Sequence, residues 1–228
     1  MESNDLLALP AFQLGPLRLS ISLLGSLGVS LLLVVLAALL RTRLRAAPGP
    51  WQTAAEILVG AAEAAVRALV GDQTPRVLPF VATLWAFLLF ANLVGLVPEL
   101  ESPTRDLSVT AALAIMVFFS VHWFGIRASG WRAYLRHYLQ PNPVMLPFNL
   151  ISELTRTLAL MVRLFGNIMS LELTALLVLT VAGLLVPVPI LLLHVIEAVV
   201  QAYIFGMLAL VYIAGGMEAH EQLHGKGG

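Results

Sequence analysis

Apolar residues in this chain come in long blocks separated by short polar breaks, and the blocks predict its elements. The first block, residues 19–40, is close to the roughly 20 residues that a membrane-spanning helix needs. It ends at Arg41, Arg43 and Arg45, and the segment APGP then breaks the chain. In residues 51–71, Glu56, Glu63 and Arg67 recur at spacings of seven and four, which puts them on one helical face. That pattern predicts an amphipathic helix lying on the membrane surface, because a spanning helix would hold three charges at bilayer depth. Residues 77–98 and 107–126 read as a spanning hairpin joined by the polar loop ELESPTRD. The remaining blocks, 144–185 and 190–214, are separated by VPVPI and form a second, longer hairpin.

The expected fold class is therefore an all-α membrane protein, a single membrane domain over residues 1–228. It has about five membrane-embedded helices plus one interfacial amphipathic helix. The arginines after the first and third spanning blocks (Arg41, Arg43, Arg45; Arg127, Arg132, Arg136) mark one side as cytoplasmic by the positive-inside rule. The N-terminus is then outside and the C-terminus cytoplasmic. The acidic opening MESND lacks the basic region of a cleaved signal, so the first block is expected to remain as a helix. About 40 unbroken residues at 1.5 Å each would make a helix of about 60 Å, twice the hydrocarbon thickness. That helix must lie steeply tilted or be broken.

Composition agrees with the blocks: 59% of residues are apolar and 11% charged, with a mean hydropathy of +0.91. The formal net charge of zero gives no indication of nucleic-acid binding, and the absence of cysteine excludes a disulfide framework. No P-loop, HExxH or nucleophile constellation occurs, so bond chemistry, a cofactor or a metal is not expected in this chain.

The polar residues that remain inside the long blocks are the candidates for function. Asn149, Glu153, Arg156, Leu160, Arg163 and Asn167 fall on one stripe at spacings of four and three. Glu172 is nine residues beyond Arg163, half a turn away. On the last block His194, Glu197 and Gln201 share a second face, which could meet Glu172 across the hairpin. Arg156, near the cytoplasmic end, could equally snorkel to the interface. His194 and Gln201 could be packing residues, and His122 beside Trp123 reads as one. Arg163 resists such a reading. An arginine cannot escape its desolvation penalty by neutralising, and at a helix centre it costs about 2.5–3.5 kcal/mol on insertion scales. Central arginines mark ion paths or charge partners.

The run RLFGN at 163–167, followed by Glu172, HVIEAVVQAYIF and Tyr212, resembles subunit a of the rotary ATP synthases. The resemblance continues upstream through FNLISELTR, WAFLLFANLVGLVP and PTRDLSVTAALAI, covering roughly residues 80–215. It departs from the family where many members read Lys-Pro, here Arg156-Thr157, and where a common serine is Ala159. The resemblance implies that Arg163 is the essential channel arginine and that Asn167, Glu172, His194, Glu197, Gln201 and Asn92 line or adjoin the ion path. Glu153, Arg156 and Tyr212 become candidates for the inner half-channel. It implies as partners a ring of proteolipid rotor subunits against which the tilted hairpin packs, a peripheral-stalk membrane subunit and the rest of the complex. The all-membrane character points to a bacterial plasma membrane, with an organelle membrane as the alternative. The ion is expected to be the proton, with sodium as the alternative. An ion-coupled secondary transporter is the distant alternative; it should show two related halves, which are not found.

Overall fold

The structure is a computed structural model and describes residues 10–14, 17–43, 49–96, 102–132, 134, 145–182 and 187–218. Among the described residues six long helices make up the body: α1 (Ile21–Arg43), α2 (Pro50–Val70), α3 (Thr74–Val94), α4 (Leu107–Ser129), α5 (Met145–Ala182) and α6 (Pro187–Glu218). Ahead of α1, two short antiparallel strands, β1 (Pro10–Leu14) and β2 (Leu17–Ser20), pair Phe12 with Leu19 and Leu14 with Leu17. This hairpin was not expected in an all-helical reading. Its signal in the sequence is brief, a period of two around Gln13 and Arg18.

Helix ends follow local chemistry. Pro50 occupies the first turn of α2, where its missing N–H loses nothing. Gly71 ends that helix with φ +52°, a conformation glycine adopts without strain, and its N–H donates to the Arg67 carbonyl. The Asp106 carboxylate accepts a 2.8 Å hydrogen bond from the Ser108 N–H and caps α4. Pro187 and Pro189 fall in the first turn of α6, so that helix begins three residues earlier than the apolar block suggests. Pro79 lies inside α3 without ending it.

The core is where α3, α4 and α6 meet. Val77, Val81, Leu84 and Leu88 of α3 recur at helical spacing and pack with Leu113, Ala114, Val117 and Val121 of α4. Ala202, Phe205, Ala209, Leu210 and Ile213 of α6 complete the layer, joined by Val66 of α2 and by Leu160 and Leu164 of α5. Close approach depends on glycine at two crossings. A Cβ at Gly206 would collide with the indole of Trp85, which stacks on Tyr203 with centroids 6.3 Å apart. A Cβ on Gly125 would come within 2.9 Å of the Gly216 carbonyl.

Helix α1 packs against α3 and the 3₁₀ turn Pro103–Arg105, and nearly all of its apolar surface faces outward. On α2 the Glu63–Arg67 ion pair is exposed while Val66 is fully buried, the polar face the charge spacing predicts. Segments Ser22–Thr42, Gln52–Val94, Leu107–Ser129 and Leu192–Met217 are long and apolar enough to cross a membrane. Helix α5 is one unbroken helix of 38 residues, about 57 Å at 1.5 Å per residue.

Candidate functional site

The two polar stripes of the long hairpin meet in register. Asn167 Nδ2 on α5 donates to Gln201 Oε1 on α6 at 2.7 Å. The Arg156 guanidinium lies 5.6 Å from the Tyr212 ring centroid, a cation–π contact. From Asn167 to Arg156 is eleven residues backward along α5, and from Gln201 to Tyr212 is eleven forward along α6, so the helices run antiparallel. Extending that register brings the backbone of residue 172 level with residue 196, next to Glu197. The side chain of Glu172 lies outside the described residues.

Polar residues gather in two clefts at opposite ends of this hairpin. At the end that holds the 3₁₀ turn, a small cleft of about 40 Å³ is lined by Asn92, Ser102, His194, Glu197 and Gln201. At the arginine-rich end, a cleft of about 210 Å³ is lined by Asn149, Ser152, Glu153, Arg156, Tyr134 and Tyr212. Eleven residues separate the Asn167–Gln201 and Arg156–Tyr212 levels, about 16 Å along the helices. Between them lie Leu160, Leu164, Phe205, Ala209 and Leu210, all buried. The clefts are thus separated by an apolar layer.

Arg163 is at the level of that layer, midway along α5, and its side chain is exposed. Among the described residues it makes no hydrogen bond or ion pair. Leu160, which shares its stripe in the sequence, is 1% exposed and belongs to the core. The buried direction of α5 points between Leu160 and Leu164, which leaves Arg163 on the flank with Ala159 and Gly166 exposed beside it. The stripe is therefore not a single surface; it splits between core and exterior.

Asn92 and Gln201 are the most enclosed of the expected polar residues. Thr104 Oγ1 donates to Asn92 Oδ1 at 2.8 Å, and Asn92 Nδ2 reaches the Ala198 carbonyl at 3.5 Å. Ser102 Oγ contacts Thr104 Oγ1 at 2.7 Å and the Ala91 carbonyl at 3.0 Å, so the loop before α4 is fastened onto the end of α3. Gln201 is 1% exposed, and its Nε2 has no acceptor among the described residues. A buried amide N–H without an acceptor carries a desolvation penalty of about 1–3 kcal/mol unless water meets it, and the small cleft has room for one. His194 and Glu197 are half-buried at its mouth.

Three polar residues in or beside these clefts are not evident from the sequence. Ser102 and Thr104 read only as parts of a polar loop. His122 Nδ1 lies 2.8 Å from the Phe118 carbonyl, which can only accept, so this nitrogen carries the proton. Its Nε2 lies 3.6 Å from Glu153 Oε2 at the edge of the larger cleft. Among the described residues, no group of three or more His, Cys, Asp or Glu is placed to hold a metal ion.

The family model of the ATP synthase A chain matches residues 23–214. The chain belongs to that family. Its sequence is 54% identical over 223 residues to ATP synthase subunit a of Legionella pneumophila (strain Paris), covering 97% of this chain and 96% of the relative. It is 58% identical over 210 residues to ATP synthase subunit a 2 of Pelobacter propionicus, with 92% of each covered. A more distant relative, ATP synthase subunit a 1 of Crocosphaera subtropica, is 43% identical over 199 residues, 86% of each chain. As a member of this family the chain is a non-catalytic membrane subunit that works with the rest of an ATP synthase complex. Its relatives support a general role in the stator's ion channel.

Proposed function

We propose that Arg163 is the essential cation of the stator and that the two clefts are half-channels, coupling ion flow to rotation of a proteolipid ring. The observation that carries this reading is an exposed arginine, with no partner among the described residues, beside an apolar layer that separates two polar clefts. An arginine in the middle of a helix that has no partner among the described residues can take one from outside, and a rotor carboxylate supplies it. At about 4 Å and an effective dielectric near 20, the attraction is about 4 kcal/mol. That equals roughly three pKa units in favour of the ionised acid.

A carboxylate arriving from the lipid gives up its ion beside Arg163 to one cleft and is reloaded from the other. Asn92, His194, Glu197, Gln201 and Glu172 serve the outer cleft; Glu153, Arg156 and Tyr212 serve the inner. Because about 16 Å of apolar packing separates the clefts, ions cross only by riding the ring. The ion is the proton in this reading, and a pumping assay with and without sodium distinguishes it from the sodium version. The peripheral-stalk membrane subunit holds the chain against the torque. The arginine-rich end, where α1 finishes and Arg76 and Arg127 lie, faces the cytoplasm of a bacterial cell, so the C-terminus is cytoplasmic and the N-terminus outside.

Cysteines placed singly at Ala159 and Gly166, in a chain without native cysteine, should crosslink to rotor cysteines near the carboxylate. One at Leu158, which is 48% exposed but about 140° around the helix from Arg163, should not. Equal crosslinking at all three positions would defeat the proposal.

A further inference from the structure

A third cleft, of about 270 Å³, opens at the arginine-rich end between α3, α4 and the last turn of α6 and shares no lining residue with either half-channel candidate. Its polar lining is Gln73, Arg76 and Arg127, and its apolar lining includes Trp123, Phe124 and Met217. Arg76 Nη1 donates to Gln73 Oε1 at 2.9 Å, and the Arg127 guanidinium lies 5.2 Å from the centroid of the Trp123 ring. Both contacts are to neutral groups. Among the described residues neither arginine has a carboxylate partner.

Two like charges held around one cleft repel each other, and an anion between them turns that repulsion into attraction on both sides. The geometry suits a phosphodiester, whose paired oxygens match the donor fork of a guanidinium. The position suits a lipid. Trp123 is 58% exposed, as an indole at the membrane–water boundary is, and Phe119 and Met116 continue its stripe toward the bilayer interior at 65% and 53% exposure. Spacings of four and three place these side chains on one face of α4, an apolar track leading away from the charged cleft.

We propose that this cleft binds the headgroup of an anionic glycerophospholipid, with Arg76 and Arg127 on the phosphate and one acyl chain along Trp123, Phe119 and Met116. Free phosphate would satisfy the arginines but would leave the track uncovered. The site is independent of which ion the complex carries.

The test uses the assembled complex, stripped of lipid in detergent and then titrated with short-chain phosphatidylglycerol, short-chain phosphatidylcholine or inorganic phosphate. Bound lipid is read by mass spectrometry of this subunit. Phosphatidylglycerol should bind in preference to phosphatidylcholine and resist millimolar inorganic phosphate. The Arg76→Gln/Arg127→Gln variant should weaken phosphatidylglycerol binding about thirtyfold, from two interfacial cations. The Arg76→Lys/Arg127→Lys variant, which keeps the charge, should retain most of it and shows whether the subunit still assembles. Wild-type binding by the glutamine variant, equal binding of both lipids, or full displacement by inorganic phosphate would each overturn the assignment.

Discussion

Replacing Arg163 by alanine should separate folding from coupling. The side chain is exposed and has no partner among the described residues, so its loss strands no counter-charge among them. Breaking a buried ion pair on one side costs about 3–5 kcal/mol. Here the expected change in stability of the inserted subunit is within about 0.5 kcal/mol, the range of an ordinary surface substitution. The functional loss is of another order. Removing an attraction of about 4 kcal/mol reduces the ionised population of a rotor carboxylate at the stator about a thousandfold. ATP-driven ion pumping by the reconstituted complex should fall to background, although the variant inserts and assembles. Arg163→Lys should also fail largely, because an ammonium loses its proton more readily in apolar surroundings and lacks the planar fork. Pumping by the alanine variant within tenfold of wild type would refute the reasoning, and a stability loss of several kcal/mol would reveal a buried counter-charge.

Other substitutions test other parts of the site. Gly206→Ala should displace the Trp85 indole from Tyr203 and destabilise the α3–α6 crossing by about 1–3 kcal/mol, as overpacked cores do, measured as a lower Tm of the complex. Gln201→Leu removes the unsatisfied Nε2 together with the Oε1 that accepts from Asn167, and these opposed terms should leave thermal stability within about 1 kcal/mol while transport through the smaller cleft slows severalfold; a drop of several kcal/mol would mean that water already satisfies the amide. Glu197→Gln should slow ion flux in vesicles without making the membrane leaky; passive leak would make the carboxylate part of the barrier. His122→Phe takes away the ring nitrogen that lies 3.6 Å from Glu153 Oε2, and pumping should fall severalfold. Unchanged pumping would return His122 to a packing role.

Much of the candidate site was legible because helical spacing is rigid. Asn167 and Gln201 sit on stripes that periodicity identifies, and they hydrogen-bond to each other across the hairpin. Leu160 sits on one of those stripes and is nevertheless core, whereas Arg163, three residues on, is exposed. His122, read as packing beside Trp123, turns toward Glu153 from a different helix.

Local sequence alone determined that the chain lives in a membrane, that it is built of helices, and which side chains share a helical face. An apolar block of 20 residues has few alternatives, and each residue turns the helix by a fixed 100°. Which face meets protein was decided only by tertiary packing. In water, burial is announced by apolar residues on the inner face; in a bilayer lipid is as apolar as a helix partner, so Phe119, outward at 65% exposure, and Phe205, fully buried, look alike in sequence. The apolar layer between the two clefts, the unsatisfied amide of Gln201 and the convergence of Arg76 with Arg127 arise from contacts between segments distant in the chain, which no single helix encodes.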